Sequence, residues 1–181
     1  MVSDAPWLQN WIGGPMQIPQ VLILGASHAE MPIVVHAKER GCHVTIIGLS
    51  LYKPNLKFCD NFFRIDYSSY KKVAKIIEEY SITHLIPGCN DFALLNATRL
   101  ANAYNLAPHL FDTFAVATSI HHKHLFRETI QKIGLNAPPH LVVTEVGFSH
   151  ELIADGTPVL VKPVDLSGGI GITLIKNKKY L

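Results

Sequence analysis

Val21 to Ile47 read VLILGASHAEMPIVVHAKERGCHVTII. Val21-Leu22-Ile23-Leu24 is a continuous apolar run, the pattern of a parallel strand buried on both faces. Gly25-Ala26-Ser27 turns the chain into a helix running to about Arg40, where Gly41 stops it. His43 to Ile47 is a second strand. The stretch is therefore a β-α-β unit of about 30 residues. A dinucleotide site is the first hypothesis for such a unit, and the residues argue against it. Ser27 and Glu30 stand where the second and third glycines of G-x-G-x-x-G belong. Gly48, Leu49 and Ser50 take the place of the ribose-binding acid. Ser27-x-x-Glu30 reads instead as a capping box, with ligand contact as the alternative. A helix capped at Ser27 would want the N–H that Pro32 lacks, so a later start with Pro32 in the first turn is the other option.

The alternation continues downstream. Leu51 to Asn61 is a loop containing Lys53-Pro54 and Asp60, and Phe62 to Ile65 is a short strand. Ser68 or Ser69 caps a helix through Tyr80, with Val73, Ile76, Ile77 and Tyr80 on one face at helical spacing. His84 to Pro87 is a fourth strand, and Gly88-Cys89-Asn90-Asp91 leads into a helix from Phe92 to Tyr104. The fold expected is α/β, an open doubly wound parallel sheet over residues 20–110. Ligands of such sheets sit outside the carboxyl ends of the strands. That edge offers Gly25, Ser27, His28, Asn90 and Asp91, with Ser27, His28 and Asp91 as the substrate candidates. Asn90 or Asp91 also suits a helix N-cap. Residues 1–19 form an irregular or short helical extension expected to lie on this domain, with Trp7 and Trp11 either covering apolar surface or facing a partner.

Residues 111–181 carry a different pattern. Asp112 or Thr113 caps a short helix to Ser119, and a second helix runs from His121 to Ile133 and ends at Gly134. Leu125, Phe126, Thr129, Ile130 and Ile133 supply its apolar side. Lys123 and Arg127 are four apart and share a helix face. His121, His122 and His124 surround Lys123, but only His121 and His124 share a face and no acid or cysteine is near, so no metal is expected there. A strand follows over His140 to Thr144, then a short helix over Phe148 to Asp155. Val159 to Lys176 read VLVKPVDLSGGIGITLIK, two antiparallel strands around a loop containing Ser167, Gly168, Gly169 and Gly171. That loop is longer than a hairpin needs. Its glycines let backbone N–H groups approach an anion, to which Lys162 would add a charge.

Composition excludes several classes. The 181 residues are 48% apolar and 17% charged with a net charge of +2, which is globular and too weakly basic to argue for nucleic acid or a membrane surface. No platform of alternating aromatic and basic residues is present. Cys42, Cys59 and Cys89 are odd in number and widely spaced, as suits reduced thiols in a cytoplasmic protein. No apolar run approaches the ~20 residues of a membrane span. The first 17 residues lack a basic region followed by an apolar core, so no secretory signal is expected.

Lys162-Pro163 followed by Ser167-Gly168-Gly169-Ile170-Gly171 resembles the phosphate-covering hairpin of the ATP-grasp ligases. That superfamily includes biotin carboxylase and the carbamoyl-phosphate synthase large chain. Lys123, Arg127, Gly134 and Pro138 match the lysine, arginine, glycine and proline that precede it there. The preceding sheet is similar to the Rossmann-like domain before the ATP-binding part. Where the family often has an acid after the second strand, this chain has Leu49. The resemblance implies a sheet domain followed by the first part of an α+β ATP-grasp domain. It implies Lys123, Lys162, Ser167, Gly168, Gly169 and Gly171 at the phosphates of ATP. Arg127 would make a structural salt bridge. The expected function is the N-terminal portion of an ATP-dependent carboxylate ligase, nearest in character to the carbamoyl-phosphate-synthase-like group, which forms an acyl phosphate that a nucleophile, commonly an amine, then attacks. Asp and Glu are absent after Asp165. The adenine hinge and the magnesium ligands of the family lie beyond the glycine loop, so Mg2+ ligands are not expected in this chain and turnover by it alone is not expected. A C-terminal half on another chain, or a homodimer, would complete the site. The alternative is a non-catalytic α/β module that binds a small anion or a protein partner. A nicotinamide enzyme is disfavoured by the glycine and acid positions.

Overall fold

β1 (Gln20–Leu24) is buried over its last four residues, and it lies at the centre of the sheet because it is apolar on both faces. A computed structural model describes residues 18–106, 112–143, 158–166 and 168–176. β1 pairs in parallel with β2 (His43–Ile47) on one side and with β4 (His84–Pro87) on the other. β2 in turn pairs with β3 (Asn61–Phe63), giving the order β3-β2-β1-β4. Alternate residues of β1 go to opposite faces. Leu22 and Leu24 pack with Ile47 under α2 (Tyr70–Glu79) and α3 (Asp91–Tyr104), which supply Val73, Ile76, Ile77, Ala93, Ala97 and Leu100. Val21 and Ile23 pack with Val44 and Ile46 under α1 (Met31–Glu39), which supplies Val34 and Ala37. Helices on both faces of a parallel sheet make the doubly wound α/β arrangement.

Two local expectations change. The 140–143 segment is not a strand: Leu141, Val142 and Val143 are exposed, with no ladder partner among the described residues. A strand needs a neighbour to take its backbone N–H and C=O groups. β3 is shorter and one residue earlier than Phe62–Ile65, because the Arg64–Ile65 segment turns away from β2. The loop after β2 contains a 3-10 turn, Lys53–Lys57, with Pro54 in its first turn.

The remaining elements are α4 (Phe114–His121), α5 (Lys123–Lys132) and a two-stranded antiparallel sheet of β5 (Val159–Val161) and β6 (Thr173–Ile175). Thr113 caps α4 through its hydroxyl, which accepts from Val116 N–H. The apolar side expected on α5 is not covered: no residue of α4 or α5 is buried, and Ile133 is 67% exposed. The N-terminal tryptophans, Thr144, Phe148–Asp155 and Ser167 lie outside the described residues. Among the described residues no helix is long and apolar enough to cross a membrane.

Candidate functional site

In the order β3-β2-β1-β4 the connections diverge between β1 and β4, and ligands of open α/β sheets sit at that point. Here a protein side chain occupies it. Glu30 is 3% exposed. Its Oε2 accepts from the Ser27 N–H at 2.8 Å and the Ser27 hydroxyl at 2.6 Å, while Oε1 accepts from the Cys89 N–H at 2.9 Å. One carboxylate thus joins the turn after β1 to the turn after β4. Gly25 and Gly88 make room for it: a Cβ on Gly25 would stand 2.7 Å from Glu30 Cδ, and one on Gly88 would stand 2.9 Å from Oε1 and collide with the Leu24 carbonyl oxygen. Burial pushes the Glu30 carboxyl up, but the Ser27 hydroxyl and the Cys89 and Ser27 N–H groups outweigh it and hold the group below its ordinary value. A negative charge placed there repels the pyrophosphate that a dinucleotide would bring, in keeping with the broken glycine pattern.

Ser27 therefore has the capping-box role. Its hydroxyl accepts from Ala29 N–H, and it caps the 3-10 turn His28–Glu30. α1 follows directly with Pro32 in its first turn, so both options left open by the sequence are realised in succession. His28 is exposed, its ring edge-on to Tyr52 at 6.3 Å. Asn90, not Asp91, is the cap of α3, accepting from Ala93 N–H at 2.8 Å, and Asp91 is exposed beside it. Asn55 was not marked by the sequence. It is fully buried and donates to the carbonyls of Ala26 and Ser27, pinning the loop after β2 over the turn after β1. Nothing in the residue pattern around Lys53-Pro54 distinguishes this asparagine from an exposed one.

The second group of candidates gathers at the β5–β6 hairpin. Gly168, Gly169 and Gly171 have φ of 67°, 78° and 71°, a region other residues rarely adopt. A Cβ on Gly168 or Gly169 would meet open space, whereas one on Gly171 would stand 2.7 Å from the Pro163 ring. The glycine loop thus closes on Pro163 and leaves two glycines facing outward. Lys162 is half-buried at its entrance. The start of the loop lies on the α4–α5 junction. Lys123 N–H donates to the Val164 carbonyl at 3.0 Å, His121 Nε2 bonds the Asp165 carbonyl at 3.0 Å, and Lys123 Nζ donates to the Leu166 carbonyl. Lys123 is therefore brought to the glycine loop, with its ammonium on a backbone carbonyl. Arg127 makes no ion pair among the described residues, where the pair present is Lys38–Asp60. The described residues contain no group of three or more His, Cys, Asp or Glu that could hold a metal.

The two places are linked by a row of rings. Asn90 Nδ2 donates to the Tyr67 hydroxyl at 3.2 Å, Tyr67 lies 6.2 Å from Phe92, and Phe92 lies 6.3 Å from His121.

The chain matches no family profile. Over 171 residues it is 23% identical to the formate-dependent phosphoribosylglycinamide formyltransferase of Prochlorococcus marinus strain NATL1A, covering 90% of this chain and 41% of that protein. Phosphoribosylglycinamide synthetase from Anaerococcus prevotii superposes with a TM-score of 0.63 at 24% identity, over 90% of this chain and 40% of that one. The biotin carboxylase domain of Hydrogenobacter thermophilus 2-oxoglutarate carboxylase gives 0.71 at 18% identity, over 90% and 39%. The fold is that of the N-terminal part of the ATP-grasp ligases. The biotin carboxylase structure is a dimer in complex with MgADP, ADP and bicarbonate. The chain spans 41% of the length of the curated relatives it matches.

Proposed function

We propose that this chain supplies the phosphate-facing part of an ATP-grasp carboxylate ligase, one that activates a small-molecule carboxylate as an acyl phosphate for attack by an amine. The observation that carries it is the glycine loop. Gly168 and Gly169 stand open at positive φ behind Lys162-Pro163, and the base of the loop is docked on the helix that carries Lys123. This fits the phosphate chain of ATP: two cations and a flexible backbone would offset its charge and exclude water. Ser167 belongs to the same proposal. Magnesium, bound with ATP, would bridge the phosphates and neutralise developing charge. Its ligands are proposed to come from the part of these enzymes that this chain does not span, so ligase turnover is expected only when that part is supplied. His28 and Asp91, exposed at the β1 and β4 turns, are the proposed acceptor contacts, with Ser27 orienting the first of those turns. The free thiols Cys42, Cys59 and Cys89 support a cytoplasmic location.

Titration calorimetry with magnesium and a non-hydrolysable ATP analogue tests this on wild type, Lys162→Ala and Lys123→Ala. Weak binding by wild type, reduced about tenfold or more in each variant, is the expected result, as for loss of a charge-assisted hydrogen bond. Binding that survives both substitutions removes the phosphate assignment.

A second reading is favoured by the open apolar face of the hairpin, where Leu160 and Leu174 are exposed. It makes the chain a non-catalytic module that uses this face to bind a protein partner.

A further inference from the structure

The geometry points to His121 as a positioning residue for the glycine loop, an assignment that rests on the phosphate reading and adds a residue to it. The carbonyls of Val164, Asp165 and Leu166 are taken in succession by Lys123 N–H, His121 Nε2 and Lys123 Nζ. Three consecutive carbonyls are thus held on one side by two residues of a single helix junction. The base of the loop is thereby fixed beside Lys123, while Gly168 and Gly169 beyond it stay open at positive φ, the arrangement that receives an anion. The ligand class is the phosphate chain of a nucleoside triphosphate.

His121 makes its bond in one form. A carbonyl only accepts, so Nε2 must carry the proton. Nδ1 is buried without a hydrogen-bond partner among the described residues. The ring is held in place by neighbours on two elements, with Phe92 of α3 at 6.3 Å and His122 at 5.4 Å. Phe92 follows Asp91 at the carboxyl edge of the sheet, so the ring that orients the loop also rests on the proposed acceptor side. His121 thereby sets the loop relative to that edge without touching nucleotide.

The test begins with the ligand-free full chain. Thermolysin cleavage inside the glycine loop is followed by fragment mass for wild type, His121→Gln and His121→Asn. A glutamine amide nitrogen reaches the place of imidazole Nε2, whereas that of asparagine reaches only the place of Nδ1. The asparagine variant is expected to be cut in the loop about fivefold faster, the equivalent of one lost hydrogen bond, with the glutamine variant at the wild-type rate. Equal rates in wild type and His121→Asn overturn the assignment, and so does equal acceleration in both variants. The same three proteins are then titrated with magnesium and the ATP analogue. Affinity about fivefold weaker in His121→Asn and restored in His121→Gln is expected. Equal affinity in all three overturns the link to phosphate. A wild type that binds no analogue while the cleavage pattern holds removes the phosphate reading and leaves His121 holding the loop.

Discussion

The sheet part and the helix–hairpin part use similar apolar residues and treat them in opposite ways. Among the described residues, every buried apolar residue except Ile175 lies at or before Leu106. From Phe114 onward most of the described large apolar side chains, among them Ile120, Phe126, Ile133, Leu160, Ile170 and Leu174, are exposed. The first part has helices on both faces of its sheet, so each apolar stripe meets another. The second has two short helices and one hairpin, too few layers to cover one another among the described residues. Contiguous exposed apolar surface marks a place where something docks. The lesson is that one part covers its own apolar residues and the other, among the described residues, leaves most of them open.

The contrast is broken most directly in the core. Leu22 is fully buried at the centre of β1. Leu22→Ala is expected to cost about 2–5 kcal/mol, because the surrounding side chains close only part of the cavity. Denaturant titration followed by far-ultraviolet circular dichroism measures it. A loss of under about 1 kcal/mol would mean that the sheet part is not the rigid body its burial implies.

Glu30 sharpens the contrast by placing a charge in that core. The fold lowers its pKa below the ordinary 4.5, so the stability it contributes is complete above that value and is lost as pH falls through the folded value. Glu30→Gln replaces an acceptor by a donor facing either Ser27 or Cys89, and is expected to cost about 1–3 kcal/mol at pH 7. The difference from wild type should shrink below pH 4.5. It should not remove the whole acid dependence. Asp60 is also lowered, since burial pushes it up but Lys38 and the Val44 N–H outweigh that. A variant with the wild-type stability profile from pH 7 down to 3 (roughly the range that carboxylates titrate over) would show that the carboxylate does not hold the two turns together.

The sheet was legible because its signals are local. A continuous apolar run gave β1 within a residue, the short stretches His43–Ile47 and His84–Pro87 gave β2 and β4, and Gly41 and the Val73–Ile77 stripe gave the helix end and face. The capping box was legible from Ser27 and Glu30 alone. That Glu30 also reaches Cys89, 59 positions away, was not, because no local pattern encodes a contact between two turns brought together by strand order. The same holds for Asn55 under Ala26. The described part of the next expected strand, 140–143, differs for the opposite reason: its apolar residues have strand propensity, but a strand is made by its neighbour, and none pairs with it among the described residues. At the hairpin the Lys-Pro and glycine spacing was readable, whereas the engagement of Lys123 and His121 by loop carbonyls depends on how α4 and α5 dock.

The smallest effect on stability should come from the hairpin itself. Leu160 and Leu174 are directly paired across β5 and β6, and both are about half exposed, at 54% and 49%. Ile175 and Val159 lie on the other face, where Ile175 is buried. Replacing both leucines by threonine keeps residues that suit a strand and removes only the open apolar patch. The unfolding free energy should change by less than about 1 kcal/mol, the range of a single cross-strand pair. Sedimentation velocity on the same proteins then separates the two functional readings. Self-association of wild type that disappears in the double variant supports the binding module, with a second copy as its partner. Monomeric behaviour of both proteins leaves the face for a complementary segment of an ATP-grasp enzyme. A large loss of stability in the double variant would contradict the contrast between the two parts, because it would mean that these leucines are already buried in solution.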